Sequence, residues 1–164
     1  DIEVIGKNDL YEPTAEFRVR YSELGPPESG LVLEGALIPL LIDELPLIAV
    51  LTAACKGGAM IIKDAGELKI KESDRISATV NNLKLMGADI EEKDGGMIIR
   101  GGKKLHSPED ENGNPVEIKT LGDHRIAMAF AVLSLSIEGS TLIDDTSCVS
   151  ASYPDFFRDL MSLM

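Results

Sequence analysis

Residues 41–62 decide the fold of this chain, and they read LIDELPLIAVLTAACKGGAMII. An Asp stands before a helix-length apolar run, and a Gly-Ala step then leads into a short strand-like segment. The same order returns after 80 to 81 residues in the stretch 121–143, which reads LGDHRIAMAFAVLSLSIEGSTLI. Because self-similarity at a fixed spacing marks a repeated structural unit, the chain is predicted to contain two copies of one unit.

The helices of the repeat differ in their predicted burial. Residues 43–55 and 123–136 are apolar on nearly every face, so both are predicted to be buried helices. Residues 73–86 place an apolar stripe opposite a polar side that includes Asn82, so this helix is predicted to lie at a surface or rim. Its counterpart in the second copy is predicted at 154–163.

Short apolar and β-branched runs predict strands between these helices. They are expected at 33–38, 60–62, 67–70, 89–92, 97–100, 116–119 and 141–143. Each copy then reads as a β-α-β-α-β-β unit, with one unit at about 31–101 and the other at about 116–164. The predicted fold class is α/β (α+β), and because the second unit lacks its closing hairpin, we expect the chain to be part of a larger protein.

The composition excludes several classes of function. With 16 basic and 28 acidic residues the formal net charge is −12, which disfavours binding to nucleic acid. A small anion would therefore need a local cluster of cations. Candidate members of such a cluster are Lys56, Lys63, Lys69, Lys71 and Arg75.

The cysteine content and the apolar runs bear on the compartment. Cys55 and Cys148 are too few for a disulfide framework, which favours a reducing compartment. The longest apolar runs fall short of the roughly 20 residues that a membrane-spanning helix needs. We therefore expect a cytoplasmic protein without a membrane partner.

Residues 71–75, KESDR, are the first candidate site, because a strand-like run gives way there to a helix. A helix N-terminus presents unpaired N–H groups and the positive end of the helix dipole. Lys71 and Arg75 could hold an anion there, with Glu72 close enough to exchange a proton with it. The alternative interpretation is a solvated helix start capped by Ser73.

Five motifs in order resemble the 5-enolpyruvylshikimate-3-phosphate synthase family. They are DELP at 43–46, ELKIKESDRI at 67–76, MGA at 86–88, GDHRIAM at 122–128 and YPDF at 153–156. The resemblance implies a two-lobed protein with three such units in each lobe, buried helices and outer mixed sheets, an arrangement known as an inside-out barrel. Residues 1–164 would then form a single partial lobe from its C-terminal part.

The resemblance also implies an activity. The family transfers the enolpyruvyl group of phosphoenolpyruvate to the 5-hydroxyl of shikimate 3-phosphate and releases phosphate, without a metal or organic cofactor. This reaction belongs to the shikimate pathway of aromatic amino acid biosynthesis. The implied partners are these two substrates and the missing second lobe. We expect this chain alone to be inactive and the full-length protein to be monomeric.

The family's functional residues fall on five positions here, Asp43, Lys71, Glu72, Arg75 and Arg125. By resemblance, Asp43 is the proton acceptor, Lys71 lies by the reacting hydroxyl, and Glu72 is the acid and base at the methylene carbon. Arg75 and Arg125 would bind phosphoenolpyruvate, since a guanidinium can grip a phosphate or carboxylate with two parallel hydrogen bonds.

Simpler interpretations of these residues stay open. Asp43 could be a helix N-cap, and Arg125 could form an ion pair with Asp123 at a helix start. For His124 we expect a structural hydrogen bond in preference to proton transfer. In many family members a Lys stands at the position of Ala151, so another cation would have to compensate here.

Two alternatives to the implied function remain. The sister enolpyruvyl transferase that acts on UDP-N-acetylglucosamine shares the fold and the phosphoenolpyruvate chemistry, although the 71–75 and 123–125 motifs favour the shikimate enzyme. The other alternative is a non-catalytic repeat domain, in which the charged loops only solvate the ends of buried helices.

Overall fold

The computed structural model describes residues 1–8, 11–22, 25–26 and 28–163. Met164, the last residue of the second predicted unit, lies outside the described residues. In chain order the elements are β1 (Ile2–Asn8), β2 (Thr14–Val19), β3 (Leu31–Leu33), α1 (Leu37–Leu41), α2 (Leu45–Ala54), β4 (Ala59–Ile62), α3 (Arg75–Leu85), β5 (Asp89–Lys93), β6 (Gly96–Arg100), α4 (His124–Ser134) and α5 (Phe156–Ser162). Short 3₁₀ helices span Gly66–Ile70 and Ser147–Ala151.

A mixed four-stranded sheet, in the order β3-β4-β6-β5, covers the helices of the first copy. β3 pairs in parallel with β4, and the crossover between them contains α1 and α2. β4 pairs antiparallel with β6, which forms the predicted hairpin with β5. At Gly96 an added Cβ would lie 2.0 Å from the backbone oxygen of Ile62, so only glycine fits this close approach.

The hydrophobic core lies between this sheet and helices α2, α3 and α4. The predictions for α2 and α4 are confirmed in most positions, since Leu45, Ala49, Ile126 and Phe130 are buried, although Leu51 of α2 is 43% exposed. The apolar stripe of α3 is also buried as predicted. Burial of these side chains supplies the main driving force for folding.

In the first copy one predicted strand has the wrong bounds and another is not a strand. The strand expected at 33–38 ends at Leu33, and a turn at Gly35, with φ of +61°, leads into α1 instead. The strand expected at 67–70 is a 3₁₀ helix. In that helix Leu68 is buried, whereas Ile70 is 81% exposed, so the two side chains do not share one face as they would in a strand.

The two strands predicted for the second copy, at 116–119 and 141–143, are reduced to a single parallel bridge. Ile118 pairs with Ile143, and the Ile118 N–H donates to the Leu142 carbonyl at 2.8 Å. This pairing is parallel, like that of β3 with β4. In the described residues it involves one residue pair and is too short to form a strand. A ladder needs several consecutive pairs, which this segment does not form.

Asn82 on α3 was predicted to lie on the polar side, but it is buried. Its Nδ2 donates to the Lys119 carbonyl at 2.9 Å, and the Lys119 N–H donates to its Oδ1 at 3.0 Å. The amide therefore satisfies both backbone groups of Lys119, as a strand partner would. This contact ties the first copy to the second.

The N-terminal β1–β2 ribbon lies apart from the four-stranded sheet. It pairs Ile2 with Val19 and Val4 with Phe17, which places four apolar side chains on one face of the ribbon. All four are exposed. The ribbon therefore adds nothing to the core described above.

Replacing Thr79 by Val is expected to raise the free energy of unfolding by about 1 kcal/mol. Thr79 on α3 is fully buried, and among the described residues its Oγ1 has no hydrogen-bond partner. Val has nearly the same shape and removes the unsatisfied hydroxyl. Urea denaturation of the purified parent and variant proteins measures the change.

Thr52 offers a matched control, because it is also buried in a helix but its Oγ1 donates to the Ile48 carbonyl at 2.9 Å. Thr52→Val should therefore lower stability or leave it unchanged. Equal effects of the two substitutions would contradict the assignment of Thr79 as an unsatisfied group.

Candidate active site

A network of ion pairs joins the starts of helices α2, α3 and α4. It contains four of the five residues predicted for the site, namely Asp43, Glu72, Arg75 and Arg125. These residues come from three separate segments of the chain. Tertiary folding therefore brings together side chains that lie up to 82 positions apart in sequence.

Arg75 lies at the centre of this network. It is the first residue of α3, and its side chain is only 1% exposed. Its Nε donates to Asp123 Oδ2 at 2.7 Å, its Nη1 to Asp43 Oδ1 at 2.9 Å and its Nη2 to Glu72 Oε2 at 2.5 Å. Every nitrogen of the guanidinium thus has a carboxylate partner.

Asp123 is the buried partner of Arg75, and sequence reasoning did not assign it to the site. It is the N-cap of α4, where its Oδ1 accepts the Arg125 N–H at 2.9 Å, and its Oδ2 also accepts the Ser73 hydroxyl at 3.1 Å. An Asp immediately before a predicted buried helix was the available signal. Nothing in the sequence predicted that Asp123 pairs with Arg75, which lies 48 positions away.

The pKa of the Asp123 carboxyl is lowered. Burial alone would raise this pKa, but the hydrogen bond and the charge of Arg75, together with the Arg125 N–H, outweigh burial. Burial likewise would lower the pKa of Arg75, but the hydrogen bond and the charge of Asp123 outweigh the effect of burial and raise this pKa. Both groups therefore remain charged in the folded protein.

The simpler interpretations of the helix starts are wrong in their detail. Asp74, and not Ser73, caps α3 by accepting the Ser77 N–H at 3.0 Å. Asp43 caps no helix, because the N-cap of α2 is Glu44, which makes no side-chain capping bond. A carboxylate beside a guanidinium makes a stronger, charge-assisted bond there than it would to a backbone N–H alone.

Arg125 is the more accessible arginine, with its side chain 29% exposed. Its Nη1 donates to Glu44 Oε1 at 2.8 Å and to the Asp43 carbonyl at 3.1 Å, and its Nη2 lies 3.5 Å from Asp43 Oδ2. The ion pair between its side chain and Asp123 is absent from the described contacts, since only its backbone N–H reaches that carboxylate. Asp43 therefore lies between the two arginines.

Lys71 lies beside the network and not within it. Its Nζ donates to Glu67 Oε1 at 2.6 Å, and this hydrogen bond raises the pKa of the Lys71 ammonium. The charges of Asp43 and Arg75 also act on that pKa, in opposite directions. Lys71 consequently stays protonated at neutral pH and can serve as a cation or proton donor, but not as a base.

The wider cationic cluster predicted from the sequence does not form. Lys63 pairs with Glu34 at 3.0 Å, and Lys69 lies 3.9 Å from Glu92. Lys56 borders a separate cavity of about 510 Å³ beside Tyr21 and Cys55. Only Lys71 and Arg75 of the five expected cations lie at the site.

The two remaining sequence predictions concern His124 and Ala151. No hydrogen bond of the half-buried His124 ring is found within the described parts of the chain, so the structural hydrogen bond expected of it stays a prediction. Ala151 ends the second 3₁₀ helix, and the neighbouring Ser150 hydroxyl donates to the Ser147 carbonyl at 2.7 Å. Among the described hydrogen bonds and ion pairs of residues 147–152, none involves a Lys or Arg side chain, so the compensating cation expected there is not identified.

Carboxylates outnumber guanidiniums in the network. Arg75 and Arg125 face four of them, Asp43, Glu44, Glu72 and Asp123. Asp43, Glu44 and Glu72 are about half exposed, so they can exchange protons with a bound molecule. Because the local charge is negative, additional cations are needed before a polyanion binds here.

A cavity of about 340 Å³ opens next to Asp43, Glu44 and Arg125. Its inner wall is apolar and includes Met128 and Phe156.

Within the described ranges, no group of three or more His, Cys, Asp or Glu side chains is arranged to hold a metal ion. The described helices are all too short or too polar to cross a lipid bilayer.

Replacing Asp123 by Asn is expected to lower the free energy of unfolding by about 3–5 kcal/mol, because it leaves the buried Arg75 charge without its main partner. Urea denaturation measures the loss. The matched control is Asp155→Asn, which removes an exposed Asp–Arg pair at 2.8 Å and should cost less than about 1 kcal/mol. Equal losses for the two variants would contradict the central role of Asp123.

The stability difference between the parent protein and Asp123→Asn should depend on pH. Because the folded-state pKa of Asp123 is lowered, its stabilisation is present above the unfolded-state pKa of about 3.9. It is lost as the pH falls through the folded-state pKa, where protonation makes Asp123 resemble Asn. The difference should therefore shrink in acid, and a constant difference between pH 7 and the acid limit of folding would contradict this.

Comparison with known proteins identifies the family. The family model described as EPSP synthase (3-phosphoshikimate 1-carboxyvinyltransferase) matches residues 5–160. A protein named 3-phosphoshikimate 1-carboxyvinyltransferase from Lactococcus lactis subsp. cremoris strain MG1363 is 44% identical over 163 residues, which cover 99% of this chain and 35% of that protein. A protein of the same name from Desulforudis audaxviator is 45% identical over 152 residues, or 93% of this chain and 32% of that protein.

A solved structure gives the same result for the fold. EPSP synthase from Acinetobacter baumannii superposes with a TM-score of 0.75 at 29% identity, covering 96% of this chain and 35% of that one. The chain thus spans about a third of the length of its relatives, and the predicted fold, a partial lobe of mixed α/β structure, is confirmed. From the match over residues 5–160 and these likenesses, the chain belongs to the EPSP synthase family.

Proposed function

We propose that this chain is part of an enzyme that transfers the enolpyruvyl group of phosphoenolpyruvate to the 5-hydroxyl of shikimate 3-phosphate and releases phosphate. The observation that carries this proposal is the convergence of Asp43, Glu72, Arg75 and Arg125 in one network, with Lys71 beside it. The relatives named above, 3-phosphoshikimate 1-carboxyvinyltransferases, support the choice of substrates.

Residues 1–164 form a partial lobe of this enzyme, with repeat units at about 31–101 and 116–164. The excess of carboxylates at the site supports the view that this lobe cannot hold two anionic substrates by itself. The remaining chain supplies the missing cations, including the one absent at Ala151, and closes over the substrates. The enzyme works in the cytoplasm as a monomer, and the 164-residue chain alone is inactive.

The reaction needs a proton delivered to the methylene carbon, a proton removed from the attacking hydroxyl and, at the end, a proton removed from the methyl group. Glu72 protonates the methylene carbon of phosphoenolpyruvate, and Asp43 accepts the proton of the attacking hydroxyl while the new C–O bond forms. Collapse of the tetrahedral intermediate then breaks the C–O bond to phosphate, the proton held by Asp43 leaves with the phosphate, and Glu72 takes back a proton from the methyl group. Both carboxylates are about half exposed, which gives them access to the substrates.

The cations of this lobe have different tasks. Arg125 is open enough to meet the carboxylate or phosphate of phosphoenolpyruvate directly. Arg75 is almost fully enclosed, so it first holds Asp43 and Glu72 in place and contacts phosphoenolpyruvate only after those partners shift. Lys71, which stays protonated, stabilises negative charge near the reacting hydroxyl.

Replacing Glu72 by Gln in the full-length enzyme is expected to lower kcat by about 10²–10⁴, because the variant cannot transfer the proton at the methylene carbon. Phosphate release from phosphoenolpyruvate and shikimate 3-phosphate measures the loss. The variant should remain folded, since Gln still accepts a hydrogen bond from Arg75.

The matched control is Glu117→Gln, which removes a half-exposed Glu that pairs with Lys119 at 2.7 Å away from the site. This variant should keep the parental rate. Normal turnover of Glu72→Gln would contradict the catalytic role proposed for Glu72. Turnover by the isolated 164-residue chain, or by the full-length protein with UDP-N-acetylglucosamine as acceptor, would also contradict the proposal.

A further inference from the structure

Glu44 is the carboxylate of the network to which the proposed function gives no role. It stands at the N-cap of α2, yet its side chain makes no capping bond to the helix. Its Oε1 instead accepts a hydrogen bond from Arg125 Nη1 at 2.8 Å. Helix geometry alone therefore does not explain the position of this side chain.

Glu44 occupies part of the hydrogen-bonding edge of Arg125 through its contact with Nη1. The Nη1 group also donates to the Asp43 carbonyl, which is fixed in the backbone at 3.1 Å. The Nη2 group faces Asp43, which is itself held by Arg75. Asp43, the other described side-chain partner of Arg125, also bonds Arg75. Among the described contacts of Arg125, only the Glu44 side chain is half exposed and bonds no second cation.

An exposed ion pair of this kind is weak, because water solvates both charges and the long side chains lose freedom when they pair. An incoming anion can therefore displace Glu44 from Arg125. Two carboxylates cannot share the same N–H edge without repelling each other. Binding of the anion and the Glu44–Arg125 contact are thus mutually exclusive at this guanidinium.

We propose that Glu44 is a positioning residue that competes with phosphoenolpyruvate for Arg125. In the free enzyme it keeps the Arg125 guanidinium paired and oriented, and substrate binding releases it to solvent. Glu44 thereby weakens the affinity for phosphoenolpyruvate without touching the reacting atoms. This inference rests on the proposed function, in which Arg125 binds that substrate.

The test is Glu44→Gln in the full-length enzyme. Because the neutral amide competes less well for Arg125, the KM for phosphoenolpyruvate should fall about two- to fivefold, the range expected for loss of an exposed ion pair. The fall should exceed any change in kcat and in the KM for shikimate 3-phosphate. Glu44→Asp, which keeps the charge, should stay closer to the parent enzyme.

Glu91→Gln is the matched control, since Glu91 pairs with Arg100 at 2.9 Å with similar exposure but lies in the β5–β6 hairpin. Its KM for phosphoenolpyruvate should equal that of the parent. An unchanged or higher KM in folded Glu44→Gln, with an active parent enzyme, would overturn this inference alone. A parent enzyme that shows no enolpyruvyl transfer would instead overturn the proposed function, and the inference with it.

Discussion

The buried ion pair between Arg75 and Asp123 is the contact on which the rest of the site depends. It joins the first residue of α3 to the N-cap of α4, and so it connects the two copies of the repeat. Both side chains are withdrawn from water, which is costly unless their hydrogen bonds are satisfied. Each is satisfied here, by Asp43 and Glu72 for the arginine and by Ser73 and the Arg125 N–H for the aspartate. The pair thereby holds Arg75 where it can bond the Asp43 and Glu72 carboxylates.

The site is asymmetric although the scaffold repeats. A 3₁₀ helix precedes the second helix in each copy, at Gly66–Ile70 and Ser147–Ala151. In the first copy the following helix starts with the charged groups of the network. In the second copy Phe156 begins the helix and Tyr153 precedes it, and their rings pack edge to face with centroids 5.7 Å apart. The charged network therefore lies at this position in one copy, while the equivalent position in the other copy carries aromatic side chains.

The balance of charge limits what this part of the protein can do. Two guanidiniums face four carboxylates, so each arginine is already paired before any substrate arrives. Such pairing keeps the two guanidiniums ordered. A bound anion must, however, displace a carboxylate that already pairs with an arginine. This chain spans about a third of its relatives' length, and cations from outside this chain would tip that exchange towards a bound anion.

Local patterns in the sequence determined the buried helices, the β5–β6 hairpin and the candidate residues Lys71, Glu72 and Arg75, whereas Asp43 and Arg125 followed from the family resemblance of the motifs. Apolar periodicity and the ordered motifs are properties of neighbouring residues, which is why they can be read directly. Tertiary structure alone decided that Glu67–Ile70 is a 3₁₀ helix, that Asn82 is buried and that Asp123 and Glu44 belong to the site. These outcomes depend on partners between 37 and 81 positions away for Asn82, Asp123 and Glu44, and propensity carries no information about contacts at that separation.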